Sequence, residues 1–277
     1  MQNSYDGKST LYLISTPIGN LDDITYRSVK ILEEAHVIFS EDTRVTLNLL
    51  NFLGINKKLI ALHEHNEDTA KEKVLEYLKE GKDVALVTDR GTPIVSDPGF
   101  KTTQYVIENG YNVVALPGAT AFVPALITSG IAPQPFLFYG FLNSNDSKRK
   151  KELEELSDNK FTMIFYEAPH RIMKTLNLML EVFGDRNISI SREITKKFES
   201  IYRGKISDVI KLIPEKGEFV IVVEGNSNND IDESLSAVDA VNLYIKAGLS
   251  VMDAIKKVAN ERNVPKNEIY NLYHRGE

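Results

Sequence analysis

Short apolar runs alternate with amphipathic segments along the first half of the chain, and this alternation restricts the fold more than any other feature. Residues 11–15, 37–40, 59–63, 84–88 and 113–116 read as strands. Between them, residues 25–35 keep Val29, Leu32 and Ala35 together and place Glu33 and Glu34 outside, which is helical spacing. Leu47, Leu50 and Leu53 predict a second helix that Gly54 stops. Residues 66–80 gather Val74, Leu75 and Leu78 on one side, as a solvated helix does. Strands that alternate with helices imply parallel βαβ units. Strands that are apolar throughout, rather than at every second residue, are those covered on both faces.

A second series starts at Phe136. Residues 136–141, 161–166, 188–194 and 219–223 read as strands, with helices expected at 146–156, 170–182 and 207–213. Residues 225–232, rich in Asn and Ser, read as a linker. Beyond it, 237–247, 251–262 and 266–273 read as three helices with no strand between them. A chain of 277 residues has room for two α/β domains. We place them at 9–133, with a parallel sheet, and 134–226, with a mixed one, followed by a helical tail at 233–277.

From Glu108 to Asp146 no charged residue intervenes, which is long enough to span a membrane. Pro117, Gly118, Pro124, Gly130, Pro133 and Pro135 break that stretch. It is therefore read as buried strand, turn, helix and crossover, and no membrane association is expected. The start of the chain has no basic region followed by an apolar one, so it does not read as a signal peptide. The absence of cysteine excludes disulfides and thiolate metal sites and fits a reducing, cytoplasmic setting. A formal net charge of -6 argues against binding nucleic acid through bulk charge. It leaves room for local basic patches, with Lys148-Arg149-Lys150-Lys151, Lys196-Lys197 and Lys256-Lys257 as candidates for phosphate contacts.

Ligands of open parallel sheets bind beyond the carboxyl ends of the strands. Three loops of small residues fall there: Thr16-Pro17-Ile18-Gly19-Asn20, the segment from Thr88 to Gly99, and Pro117-Gly118-Ala119-Thr120-Ala121. Small residues let backbone amides and carbonyls approach a ligand closely. None of these loops is a G-x-x-x-x-G-K-[ST] phosphate loop or a G-x-G-x-x-G dinucleotide fingerprint. Position and composition alone leave the ligand open.

Longer segments narrow it. STPIGNLDDIT at 15–25, SEDTR at 40–44, LHEHNE at 62–67, GTPIVSDPG at 91–99, LPGATA at 116–121, FYGFL at 138–142, FYEAPHRI at 165–172, REITKKFE at 192–199 and GEFVIVVEG at 217–225 resemble the ribosomal RNA methyltransferase branch of the tetrapyrrole methylase-like superfamily. The resemblance runs from about residue 9 to the C-terminus. It implies two α/β domains of the tetrapyrrole methylase type, with S-adenosyl-L-methionine in the cleft between them, and a tail that resembles a helix-turn-helix. It further implies methyl transfer to the ribose 2′-oxygen of a cytidine in 16S ribosomal RNA of the small subunit, by a homodimer. A tetrapyrrole-precursor methylase shares the cofactor loops, and a nucleotide-sensing module without catalysis is the reading from another class.

On this resemblance and the loop positions, the cofactor is expected to meet Pro17, Gly19, Asp89, Gly91, Pro93, Ile94, Ser96, Asp97, Gly118, Ala119, Thr120, Ala121 and Tyr166. A ribose hydroxyl is a weak nucleophile, so a base or a charge-stabilising cation helps its transfer step. Glu41, Asp42 and Arg44, the group His63, Glu64, His65 and Glu67, and the group Glu167, His170 and Arg171 are the candidates. Asp42, Arg44, Glu167 and Arg171 are chosen for the substrate side. Glu167 and Arg171, four apart near a helix start, also suit a structural pair, and Asp42 with Arg44 a loop salt bridge. His63-Glu64-His65 lacks the helical H-E-x-x-H spacing, and no metal is expected. One departure stands out: the family usually has Asp-Ala-Gly-Thr-Pro where this chain has Asp89-Arg90-Gly91-Thr92-Pro93. A sulfonium is positive, so Arg90 is expected to point away from the transferred methyl.

Overall fold

The computed structural model describes residues 2–4, 6–226, 235–246, 248–262 and 264–275. The chain starts with β1 (Thr10–Ile14), α1 (Tyr26–Glu34), β2 (Val37–Ser40), α2 (Thr43–Leu53), β3 (Leu59–Ala61) and α3 (Glu67–Lys79). It continues with β4 (Val84–Val87), α4 (Phe100–Glu108), β5 (Asn112–Leu116) and α5 (Phe122–Thr128). The five strands form one sheet in the order β3-β2-β4-β1-β5, and every pairing is parallel.

The continuous apolar runs are used on both faces. Val84 and Leu86 face one core with Val74, Leu78 and Val106, from α3 and α4. Ala85 and Val87 face the other, with Leu32 and Leu50 from α1 and α2. Helix starts are fixed locally. Thr25 accepts a hydrogen bond from the Ser28 amide to start α1, and Asp42 accepts one from the Arg44 amide to start α2.

The second series contains β6 (Phe136–Phe141), α6 (Asp146–Leu156), β7 (Thr162–Glu167), α7 (Ile172–Phe183), β8 (Asn187–Arg192), β9 (Ser200–Lys205), α8 (Ile206–Val209) and β10 (Phe219–Val223). Its sheet runs β6-β7-β10-β8-β9. The β6–β7 pair is parallel and the other three pairs are antiparallel, so the sheet is mixed. Helices α6, α7 and α8 close one face around Leu153, Leu176, Met179 and Val209. The other face receives α5, whose Ala125 and Leu126 pack on Ile164, Val220 and Val222. The uncharged stretch is thus strand, short helix and strand, and no helix among the described residues is long and apolar enough to cross a membrane.

Three details differ from the sequence reading. Strand β9 was not anticipated, because its sequence SIYRGK carries charge; it lies at the sheet edge with Arg203 and Lys205 exposed, where charge discourages pairing with another chain. The expected helix at 207–213 is only the four-residue α8. The strand expected to reach residue 194 stops at Arg192, because Glu193 and Thr195 take positive φ of 54° and 67° and turn the chain.

Both sheets lie in one compact unit, residues 1–157 and 161–224. The other unit, residues 158–160 and 225–277, holds α9 (Ala237–Lys246), α10 (Val251–Glu261) and α11 (Lys266–Arg275), packed around Val241, Tyr244, Ile255, Val258 and Ile269. Of the linker expected at 225–232, all but 225 and 226 lie outside the described residues, as does residue 247 at the end of the first expected tail helix.

Candidate active site

Parallel pairing of β2, β4, β1 and β5 brings their carboxyl ends, and the loops that follow, side by side. The loops are sewn together by main chain and hydroxyls. Thr16 and Gly91 exchange both backbone hydrogen bonds, at 2.9 and 3.0 Å. The Thr16 hydroxyl donates to the Thr88 carbonyl at 3.1 Å. Ser15 and Thr92 share a hydroxyl contact of 2.9 Å, and Thr92 donates on to the Ala119 carbonyl at 3.1 Å. Gly91 sits at φ +87°, a conformation that side chains resist, and Gly118 lies so near β1 that an added Cβ would be 2.5 Å from the Ser15 Cβ. Ile94, a β-branched residue, and Ser96 also hold positive φ, 75° and 69°. Such backbone strain gathers where a ligand or a switch requires it.

Against these loops lies a cavity of about 360 Å³, within the size range of small-molecule sites. Gly91, Thr92, Ser96, Asp97, Thr120 and Ala121 wall it from the first sheet. Phe141, Tyr166, Ala168, Pro169, Phe219 and Val220 wall it from the second. Tyr166 is held edge-on by Phe138 and Phe141, with ring centroids 5.1 and 5.5 Å away, and its hydroxyl reaches Thr120. Burial pushes the Asp97 carboxyl up to about 6, and the charged groups that act on it, Glu41 and Asp89, are themselves carboxylates. Burial also raises Asp89. The Thr88 hydroxyl donates to Glu41 Oε2 at 2.8 Å and is shared with Asp97. A cavity with aromatic walls and a buried carboxyl suits a ligand that combines a flat ring with a positive charge.

The family model for Tetrapyrrole (Corrin/Porphyrin) Methylases matches residues 10–210. The chain belongs to this family. Ribosomal RNA small subunit methyltransferase I of Bacillus subtilis (strain 168) is 48% identical over 99% of this chain and 98% of its own length. The protein of that name from Haemophilus influenzae is 41% identical over 94% of each chain. Among solved structures, diphthine synthase superposes with a TM-score of 0.59 at 15% identity, covering 78% of this chain and 90% of its own. A cobalt precorrin-4 methyltransferase gives 0.58 at 18%, covering 81% and 97%. At those identities the likeness concerns the fold alone.

This tetrapyrrole methylase takes its methyl group from S-adenosyl-L-methionine. Of the residues expected at the cofactor, Gly91, Ser96, Asp97, Thr120, Ala121 and Tyr166 line the cavity. Pro17, Gly19 and Asp89 line a neighbouring cavity of about 410 Å³ that is floored by α2. Pro93, Ile94, Gly118 and Ala119 line neither. The wall also uses Ile18 and Val95 from the small-residue loops, and Phe141, Ala168, Pro169, Ile194, Glu218, Phe219 and Val220, none of them among the residues expected at the cofactor. Most come from the second sheet, and only the segments FYGFL, FYEAPHRI and GEFVIVVEG hinted at them.

The residues chosen for the substrate side fall into two pairs. Asp42 and Arg44 form an exposed fork, Nε–Oδ1 3.0 Å and Nη2–Oδ2 2.6 Å, at the start of α2. The Arg44 hydrogen bonds hold the Asp42 carboxyl down at about 2. Glu167 is buried and committed: Oε1 accepts from the Ala168 amide at 2.8 Å, and Oε2 from the Thr175 hydroxyl at 2.5 Å. Arg171 Nε lies 3.1 Å from Oε1 but off the line of its N–H, so that pairing is electrostatic rather than an aligned hydrogen bond. Arg171 Nη2 donates to the carbonyls of Leu142 and Asn143, at 2.7 and 3.1 Å. Arg149, read as part of a basic run, is buried at 1% exposure and joins the same network through Thr175, Asn143, Ser144 and Asp146. Among its neighbours, Lys150 pairs with Glu181 and Lys151 with Glu155.

Proposed function

We propose that this chain methylates the ribose 2′-hydroxyl of a cytidine in 16S ribosomal RNA of the small subunit, in the cytoplasm and as a homodimer. The observation that carries the reading is 48% identity, over nearly all of both chains, to a protein named for that ribosomal substrate. The cofactor supplies an electrophilic methyl group on a sulfonium. Gly91, Ser96, Thr120, Ala121 and Tyr166 would hold it, and the aromatic wall would exclude water.

The protein's own part in the chemistry is to orient the hydroxyl and take its proton. Asp97 is suited to this: it lines the cavity, and a carboxyl near 6 is both ionised at neutral pH and more basic than an ordinary one. The Thr88 hydroxyl, between Asp97 and Glu41, offers the proton an exit away from the cofactor. Asp42, held at about 2 by Arg44, is a poor base, and its fork with Arg44 serves binding. Glu167 and Arg171 act as positioning residues that fix the Ala168–Pro169 wall.

The test is a labelled-methyl transfer to purified small ribosomal subunits, with the modified nucleotide mapped by mass spectrometry. Label on the 2′-oxygen of one cytidine supports the reading. Label on a base, or on a tetrapyrrole precursor only, would sink it.

A further inference from the structure

At the border of the two cavities, cations from different parts of the fold meet on one carboxylate. Arg90 follows β4 and lines both cavities; Lys196 lies in the turn after β8 and lines the second. Arg90 Nη1 pairs with Glu218 Oε1, and Lys196 Nζ with Glu218 Oε2 at 2.8 Å. Lys196 also reaches Glu193 Oε1 at 3.0 Å, which in turn accepts the Glu218 amide at 2.9 Å. Arg90 therefore points at the second sheet rather than into the cofactor loop from which it springs.

The cations are placed by packing. At Gly19 a Cβ would fall 2.5 Å from the Lys196 Cγ and 2.7 Å from the Thr195 hydroxyl, and the Asn20 amide donates to that hydroxyl at 3.1 Å. The loop after β1 thus presses on the aliphatic stem of Lys196 and fixes the direction of its ammonium. The Arg90–Glu218 pair is different in kind. Its side chains are 53% and 60% exposed, and an exposed pair of this sort is weak, so an incoming anion can replace the carboxylate. Among the charged groups of the second cavity, Asp89 is the one opposed to Arg90 and Lys196. A guanidinium N–H and an ammonium converging on the two oxygens of one anion is a geometry that suits a phosphate.

We propose that Arg90 and Lys196 form a binding site for a backbone phosphodiester of the RNA substrate, and that Glu218 is the internal anion that holds both cations until the strand arrives. The proposal rests on the function proposed above. It gives the strand a fixed point on the rim of the cofactor cavity. Phosphate contacts set register and orientation rather than sequence choice.

The test uses the full-length protein and the variants Arg90→Gln, Lys196→Gln, the double variant and Glu218→Gln, all checked for unchanged thermal melting. A fluorescent single-stranded oligoribonucleotide is titrated at several salt concentrations, and S-adenosylhomocysteine binding is measured by calorimetry. Each lost cation is expected to weaken RNA binding about tenfold and to lower the slope of log affinity against log salt by ~1. Glu218→Gln should tighten RNA binding, because the competing anion is gone. S-adenosylhomocysteine affinity should stay within about twofold in Lys196→Gln, whose side chain lines only the second cavity, since tenfold is the change expected of a lost charged contact. RNA affinity and salt slope unchanged in the double variant would overturn the proposal. So would a parallel loss of S-adenosylhomocysteine affinity in Lys196→Gln, which would assign the ammonium to the cofactor's carboxylate. If the wild-type protein transfers no methyl to ribosomal subunits, the functional reading fails, and the RNA titration still decides the site.

Discussion

Arg171→Met tests whether the Glu167 network is structural. In the native protein the Glu167 side chain is 1% exposed and the Arg171 side chain 15%. Removing the guanidinium leaves a buried carboxylate without its cation and removes the side-chain donor that serves the Leu142 carbonyl; Asn143 O keeps Arg149 Nε at 3.1 Å. Breaking one side of a buried pair costs about 3–5 kcal/mol. A protein of ordinary stability has about 5–15 kcal/mol in all, so the variant should fold but with a large part of that margin gone. The assay is urea unfolding followed by circular dichroism, with Glu167→Gln and the double variant alongside. Double substitution removes the stranded charge, so it should cost less than the sum of the singles by about 0.5–3 kcal/mol. Because Ala168 and Pro169 line the cofactor cavity, S-adenosylhomocysteine binding should weaken in folded Arg171→Met while bound enzyme keeps most of its kcat. A stability loss below about 1 kcal/mol, or strict additivity, would refute the argument, since either outcome means the charge is not stranded.

Other outcomes follow from the same geometry. Asp97 titrates near 6 in the folded protein against 3.8 for an ordinary aspartate. The folded state therefore holds that proton more tightly than the unfolded chain, and stability falls as pH rises from about 4 through 6. Asp97→Asn should abolish that fall, visible as a flatter melting temperature against pH, and should remove the acid limb near pH 6 from the rate profile. Gly118→Ala puts a methyl 2.5 Å from the Ser15 Cβ on a buried strand end; a loss of about 1–3 kcal/mol in thermal unfolding is expected, together with weaker cofactor binding. Leu126→Ala empties the contact of α5 with Val220 and Val222 and should cost about 2–5 kcal/mol by chemical unfolding.

The layered α/β fold is legible in the pattern of apolar residues alone. Apolar runs such as Val84–Val87 admit one solution, burial on both faces, and the helical spacing around Leu32 and Leu78 supplies the cover. The sequence also marks the loops that wall the cavity from the first sheet, because strand ends followed by small residues have a fixed place in a parallel sheet. Strand β9 was not legible, since an edge strand obeys no burial pattern. The roles of the charged residues, by contrast, emerge from packing. Arg149 and Lys148 are neighbours in one basic run, yet one is buried in a network and the other is exposed. Glu218 and Arg90 are 128 residues apart and meet at one carboxylate. Charge carries no periodicity: its role depends on the depth and the partner it is given, and both are set by the packing of distant elements. The Thr88–Gly99 loop shows the division. Its glycines and prolines announce a close backbone approach, while the raised proton affinity of Asp97 comes from its burial and then from the Glu41 and Asp89 carboxylates, and the direction of Arg90 from Glu218 beside the second sheet.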